Sequence, residues 1–224
     1  MSYCVAIDGP AGAGKSTIAK AIAKRMGLIY VDTGAMYRAM ALYMIRQNIG
    51  TEELDLICEK CEEADITIAY ENAEQVVYLN GENVNSFLRT EEVGNMASVS
   101  STQKAVRVKL VKLQQELAKK TDVIMDGRDI GTCVLPDADV KIYLTAGSRE
   151  RAKRRYAELV AKGVECNLDD IEKDIIERDE RDMTRAESPL RQADDAIRVD
   201  SSNMTIEEVV QTIINICEEK RKEA

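Results

Sequence analysis

Gly9-Pro10-Ala11-Gly12-Ala13-Gly14-Lys15-Ser16 spells the phosphate-loop pattern G-x-x-x-x-G-K-[ST]. It follows an apolar run, Tyr3-Cys4-Val5-Ala6-Ile7, and Asp8, and it opens a helix-forming stretch from Thr17 to Met26. The pattern needs that strand–loop–helix setting, because most of its chemistry is done by the backbone. Glycines let successive N–H groups turn inward with no Cβ in the way. Together with the positive end of the following helix, those groups form a nest for polyphosphate. Lys15 can reach the β- and γ-phosphates, and the Ser16 hydroxyl can ligate Mg²⁺. The stretch reads as a nucleoside-triphosphate site.

Further polar residues gather where strands should end. Asp32-Thr33-Gly34-Ala35-Met36-Tyr37-Arg38 and Asp126-Gly127-Arg128-Asp129-Ile130-Gly131-Thr132 each follow a short apolar run. A charged helix carries Arg178, Asp182 and Arg185 at i, i+4 and i+7, hence on one face. Another basic group, Arg149, Arg151, Lys153, Arg154 and Arg155, opens a separate helix. Taken singly, such faces are mostly solvated ion pairs of little consequence. Beside a triphosphate loop they suit phosphoryl transfer, which needs two phosphates held in line and cations spread over the equatorial oxygens. Arginine fits that task through its rigid fork and permanent charge.

The elements that must carry these residues follow from periodicity and caps. Residues 3–8, 28–31, 123–126, 140–144 and 196–199 read as short buried strands. Helices are predicted over about 35–48, 52–64 and 102–120, from a Ser148 cap to Gly163, and from an Asn167 cap to about Arg185. Gly27 is a plausible C-cap, and Thr205-Ile206-Glu207-Glu208 is a capping box opening a last helix. The alternation predicts a parallel sheet with helices on both sides and ligands at the carboxyl ends of the strands. It breaks once. Residues 65–70 and 75–80 alternate at period two around Asn72-Ala73-Glu74, and Asn80-Gly81 supplies a second turn, so an antiparallel module is inserted there.

Composition narrows the classes. The 224 residues are 45% hydrophobic but 4% aromatic, so the core is built from Ile, Leu, Val, Met and Ala. A formal charge of −9 argues against a nucleic-acid or anionic-membrane surface and leaves anions to local arginine clusters. The chain has no His, which removes Ser-His-Asp and Cys-His catalysis, His-ligated zinc and an imidazole base. Its six cysteines are scattered, and Cys58-x-x-Cys61 lacks the second pair that a metal site needs. With no secretory signal and no apolar stretch of membrane-spanning length, a reducing cytoplasm is expected.

Four motifs together resemble the bacterial cytidylate kinase family: Ile7 through Thr17, Asp32 through Arg38, Asp126 through Thr132, and Ser188-Pro189-Leu190, with Arg178-Asp179-x-x-Asp182-x-x-Arg185 fitting the same pattern. The similarity runs over essentially the whole chain, the hairpin insertion included. It implies an α/β, three-layer P-loop kinase fold with a parallel central sheet, an inserted antiparallel β module in the NMP-binding region and an Arg-rich lid. Residues 1–34, 102–147 and 186–224 would form the core, 35–101 the NMP-binding region, and 148–185 the lid with a CMP-contacting helix.

The implied reaction is ATP + CMP (or dCMP) ⇌ ADP + CDP (or dCDP), with Mg²⁺, in a cytoplasmic monomer whose partners are small nucleotides. Gly9, Pro10, Ala11, Gly12, Ala13, Gly14, Lys15, Ser16 and Thr17 would hold ATP, with Ser16 beside the metal. Thr33, Arg38 and Arg128 would hold the acceptor phosphate. Ser98, Arg107 and Asp129 would read cytosine, and Arg178 with Asp182 the sugar. Lys15, Arg128, Arg154 and Arg185 would act on the transferring group, Arg185 also belonging to the CMP site as its electrostatic support, and Arg151, Arg154 and Arg155 would lie in a lid that closes over it. Two alternatives remain at this point: a P-loop kinase with another acceptor, and a nucleotide-driven ATPase or switch module.

Overall fold

The computed structural model describes residues 2–71 and 74–223. In chain order its elements are β1 (Cys4–Asp8), α1 (Lys15–Met26), β2 (Ile29–Asp32), α2 (Thr33–Arg46), α3 (Leu54–Lys60), β3 (Ile66–Glu71), β4 (Glu74–Leu79), β5 (Glu82–Asn83), α4 (Glu91–Ser100) and α5 (Lys104–Ala118). There follow β6 (Val123–Gly127), β7 (Val140–Thr145), α6 (Ser148–Ala161), α7 (Leu168–Thr184), β8 (Ile197–Asp200) and α8 (Ile206–Glu223). The chain divides into two compact units, residues 1–2 with 29–121 and residues 3–28 with 122–224.

The second unit is built on parallel strands in the order β6-β1-β7-β8. Val5 pairs with Ile124 on one side and with Val140 on the other, and Ile142 pairs with Ile197. Val5, Ala6, Ile7, Val123, Ile124 and Met125 are inaccessible to water. Such continuous apolar runs are what a parallel sheet covered by helices requires. Helix α1 lies against β6 and α8, and α8 lies against β7. It buries Val209, Val210, Ile213, Ile214 and Cys217. The predicted capping box is formed: the Glu208 N–H donates to Thr205 Oγ1 at 3.3 Å, and the Thr205 N–H donates back to Glu208 Oε2 at 2.8 Å. Gly27 ends α1 in the left-handed conformation, with φ 69°.

The first unit contains the antiparallel sheet β3-β4-β5, with Ile66 opposite Leu79 and Ile68 opposite Val77. The turn placed at Asn72-Ala73 lies outside the described residues. Asn80 and Gly81 both have positive φ, 50° and 81°, as a two-residue turn of the primed type demands. Around the sheet, α2 packs on α4, α5 and β4, with Met36, Met40 and Met44 completely buried.

Local chemistry moves four boundaries. Helix α2 begins at Thr33 rather than residue 35, because the Asp32 side chain accepts from the Ala35 N–H at 2.9 Å. The helix predicted over 52–64 is shorter: α3 ends at Lys60 and tightens into a 3₁₀ turn at Cys61–Glu63. Ser148 is not a cap; it is the first residue of α6, and its hydroxyl bonds Glu172 at 2.9 Å. Arg185 stands just past the end of α7, where the Leu190 N–H returns to the Asp182 carbonyl. We expect Thr205→Ala to destabilise the protein by about 1 kcal/mol, the usual value of such a cap, read as a lowered urea midpoint with unchanged m-value.

Candidate active site

Strand β1 ends at Asp8, and the chain turns into the glycine loop with no room for a side chain. Gly9 has φ 149°, and a Cβ there would fall 1.9 Å from the Leu144 carbonyl oxygen of β7. Lys15, on the first turn of α1, is buried, and its ammonium donates to the Gly9 and Pro10 carbonyls at 2.8 Å each. Burial pushes its pKa well down, and the Arg128 guanidinium adds to the shift; Asp126, Asp8 and Asp182 pull the other way. Ser16 donates its hydroxyl to Asp126 Oδ2 at the end of β6, at 2.9 Å. A hydroxyl and a carboxylate so placed are hard oxygens of the kind Mg²⁺ prefers, and a few of them suffice when phosphate and water complete the shell. Among the described residues no group of three or more His, Cys, Asp or Glu could hold a metal by itself.

Asp8 is the residue that sequence reasoning undervalued. Its two carboxylate oxygens accept from the Ile130 and Gly131 N–H groups, both at 2.7 Å, where β6 passes into a single π-helical turn, Ile130–Val134. Burial raises its pKa to about 6, against those two hydrogen bonds, which favour the charged form. Asp126 was visible only as a polar end to a buried strand, a feature many strands share.

Around this centre the arginines are directed by partners. Arg128 Nε donates to Asp182 Oδ2 on α7 at 2.8 Å. Burial opposes the charge on Asp182, but Arg128, then Arg178 and Arg185, hold its carboxyl below the usual range. Arg185 gives Nε and Nη2 to the Ser188 carbonyl, at 2.8 and 2.5 Å, and lies 3.8 Å from Asp129. Arg151 and Arg154, on α6, reach the glycine loop: Arg151 Nη1 donates to the Ala11 carbonyl at 2.9 Å, and Arg154 Nη1 lies 3.5 Å from that of Ala13. Arg154 is also tied to the Ser201 carbonyl at 2.7 Å. Arg155 faces solvent and pairs with Glu158. Arg178 is exposed on α7.

The other predicted residues belong to the first unit. Thr33 is buried in the first turn of α2, and Arg38 sits one turn on, its Nη2 gripped by both oxygens of Asp32 at 3.2 and 3.0 Å. Arg107 is buried on α5 with Nη1 on the Ser101 carbonyl at 3.3 Å, and its guanidinium lies 5.5 Å from the centre of the Tyr37 ring. Ser98 is half-buried on α4.

A parallel sheet whose first strand feeds a glycine loop, a buried lysine, a paired hydroxyl and carboxylate, and inward-directed arginines define the class: a P-loop phosphotransferase. Comparison with known proteins narrows it. The family model for cytidylate kinase matches residues 5–219. A cytidylate kinase of Caldicellulosiruptor saccharolyticus is 53% identical over 95% of this chain and 94% of its own length. One from Lactobacillus johnsonii is 50% identical over 97% and 95%. Among solved structures, shikimate kinase from Bacteroides thetaiotaomicron shares the fold at 15% identity, with TM-score 0.50 over 96% of this chain and 98% of that one. This chain belongs to the cytidylate kinase family. No helix among the described residues is long and apolar enough to cross a membrane.

The Asp8 environment gives a pH dependence with a fixed sign. An unfolded Asp titrates near 3.8 and the folded group near 6, so between these values the native state keeps a proton that the unfolded chain has released. The contribution is therefore fully present below about pH 4 and is lost as pH rises through about 6, by up to about 3 kcal/mol. Asp8→Asn should flatten that part of the profile of unfolding free energy against pH from 4 to 6, measured by urea titration.

Proposed function

We infer that this chain transfers the γ-phosphate of ATP to CMP or dCMP, giving CDP or dCDP. The observation that carries the reading is the family match over residues 5–219; the glycine loop, with Lys15 on its carbonyls and Ser16 on Asp126, supports it. In this reading Gly9 through Thr17 hold ATP. Mg²⁺ entering with ATP supplies positive charge at the phosphates, and Ser16 and Asp126 would hold it. Arg154, directed at the loop, is the α6 arginine that we place on the transferring group, with Lys15, Arg128 and Arg185. The same reading makes residues 148–185 the lid and CMP-contacting segment, 35–101 the acceptor-binding region and the remainder the core. It also makes the enzyme cytoplasmic and monomeric.

The chemistry needs no general base. The second pKa of a phosphate monoester lies near 6, so at pH 7 the acceptor is mostly a dianion and can attack phosphorus directly. A chain without His loses nothing by it. Thr33, Arg38 and Arg128 are assigned to the acceptor phosphate, and Arg178 and Asp182 to the sugar. For the base, Asp129 accepts from the exocyclic N4 of cytosine, where uracil presents an acceptor oxygen, while Arg107 donates to the remaining acceptors and Ser98 adds a hydroxyl. Buried polar groups left unpaired by the wrong base make such a site selective. Asp129→Ala should lower kcat/KM for CMP by about a hundredfold or more, while the KM for ATP stays within about threefold, in a coupled ADP-release assay with CMP, dCMP, UMP and AMP. Equal losses for both substrates would remove Asp129 from base recognition.

A further inference from the structure

Among the carboxylates of helix α7 that the assignments above leave unused, one, Asp179, is buried. Asp179 is 9% exposed, and its Oδ2 accepts from Arg151 Nη2 at 2.5 Å. Its Oδ1 is buried with no hydrogen-bond partner. A buried ion pair that leaves one oxygen unsatisfied is a poor source of stability, since desolvation offsets much of the attraction. Its geometry points elsewhere. Arg151, 5% exposed, spends its whole fork: Nε on the Ala146 carbonyl at 2.9 Å, Nη1 on the Ala11 carbonyl at 2.9 Å, and Nη2 on Asp179. Its stem lies against the glycine loop as well, for a Cβ on Gly12 would sit 3.5 Å from Arg151 Cβ and 3.9 Å from Cγ.

The Ala11 carbonyl and the Gly12 N–H belong to one planar trans peptide, so they point in opposite directions. A guanidinium holding the carbonyl from outside fixes the N–H on the other side. We propose that Asp179 is a positioning residue for the phosphate loop: by clamping the Arg151 fork it fixes the Ala11–Gly12 peptide, so that the Gly12 N–H is presented to the triphosphate. Arg151 then acts as a brace on the loop backbone, and the phosphate contact falls to its neighbour Arg154. The proposal rests on the kinase reading for the identity of its ligand, and it predicts that α7 tunes the donor site through Arg151.

The test is calorimetric titration of the full-length chain with the magnesium complex of β,γ-imido-ATP, and separately with CMP. The variants are Asp179→Asn, Arg151→Ala and the double mutant, with thermal unfolding recorded for each. Asp179→Asn should weaken analogue binding about tenfold, as expected when a charge-assisted hydrogen bond loses its charge and a buried amide N–H is turned on the fork, and leave CMP affinity within about twofold. The double mutant should bind the analogue no worse than Arg151→Ala alone, because Asp179 acts only through Arg151. Analogue binding by Asp179→Asn at the wild-type level, losses that add fully in the double mutant, or a loss confined to CMP would each overturn the proposal. Should Asp179→Asn fail to fold, Arg151→Lys carries the same test, since the donors of a single ammonium nitrogen cannot span three acceptors spaced around a planar fork. A wild-type protein that makes no CDP would refute the kinase reading and still leave the analogue titration to judge the brace.

Discussion

The second unit turns on the Asp8 carboxylate. Above about pH 6 it is charged, almost wholly removed from water, and compensated by the Ile130 and Gly131 N–H groups and by the nearby Lys15 ammonium. Hydrogen bonds to an ionised acceptor are the strong ones, and they are directional. Here they fasten the point where β1 yields to the glycine loop to the point where β6 yields to its π-helical turn. Arg128 and Asp129 immediately precede that turn, so they inherit their placement from a contact made by their neighbours. One carboxylate thus registers two strand-end segments that lie 122 residues apart.

A chain of net charge −9 that handles polyanions has to concentrate its cations, and it does so by pairing. Arg128 is oriented by Asp182, Arg185 by the Ser188 carbonyl, Arg151 by Asp179, and Arg38 by Asp32. Each pairing limits rotamer freedom before any ligand arrives. Preorganised charge of this kind is what phosphoryl transfer draws on, because little covalent work is left to the protein.

Features written in short-range chemistry were legible in the sequence. The glycine loop, the Asn167 and Thr205 caps, the Asn80-Gly81 turn and the apolar strands each depend on residues within a few positions of one another. Helix α2 began two residues early because an aspartate taken for a strand end is also a cap. What stayed hidden depends on burial and on distant partners. Nothing local to Asp8 announces that it will bond Ile130 and Gly131, and Ser16 meets Asp126 across 110 positions. The four arginines of α6 look alike in sequence, yet Arg151 and Arg154 reach the loop, Arg149 pairs with Asp169 and Glu172, and Arg155 faces solvent. Arg185 stands at the C-cap of α7, just past its last turn, yet the grouping expected from i, i+4 and i+7 holds, for Arg178 and Arg185 both act on the Asp182 carboxylate.

The close approach of Gly9 to the Leu144 carbonyl bears on the thermodynamics of nucleotide capture. Because β7 occupies the space a side chain would need, the sheet fixes the path by which the chain leaves β1 for the loop. The conformational entropy of fixing that exit is surrendered on folding, before the nucleotide appears, and is not charged against affinity. Recognition at this end of the molecule is therefore nearer to docking onto a rigid mould than to a coupled ordering of chain and ligand.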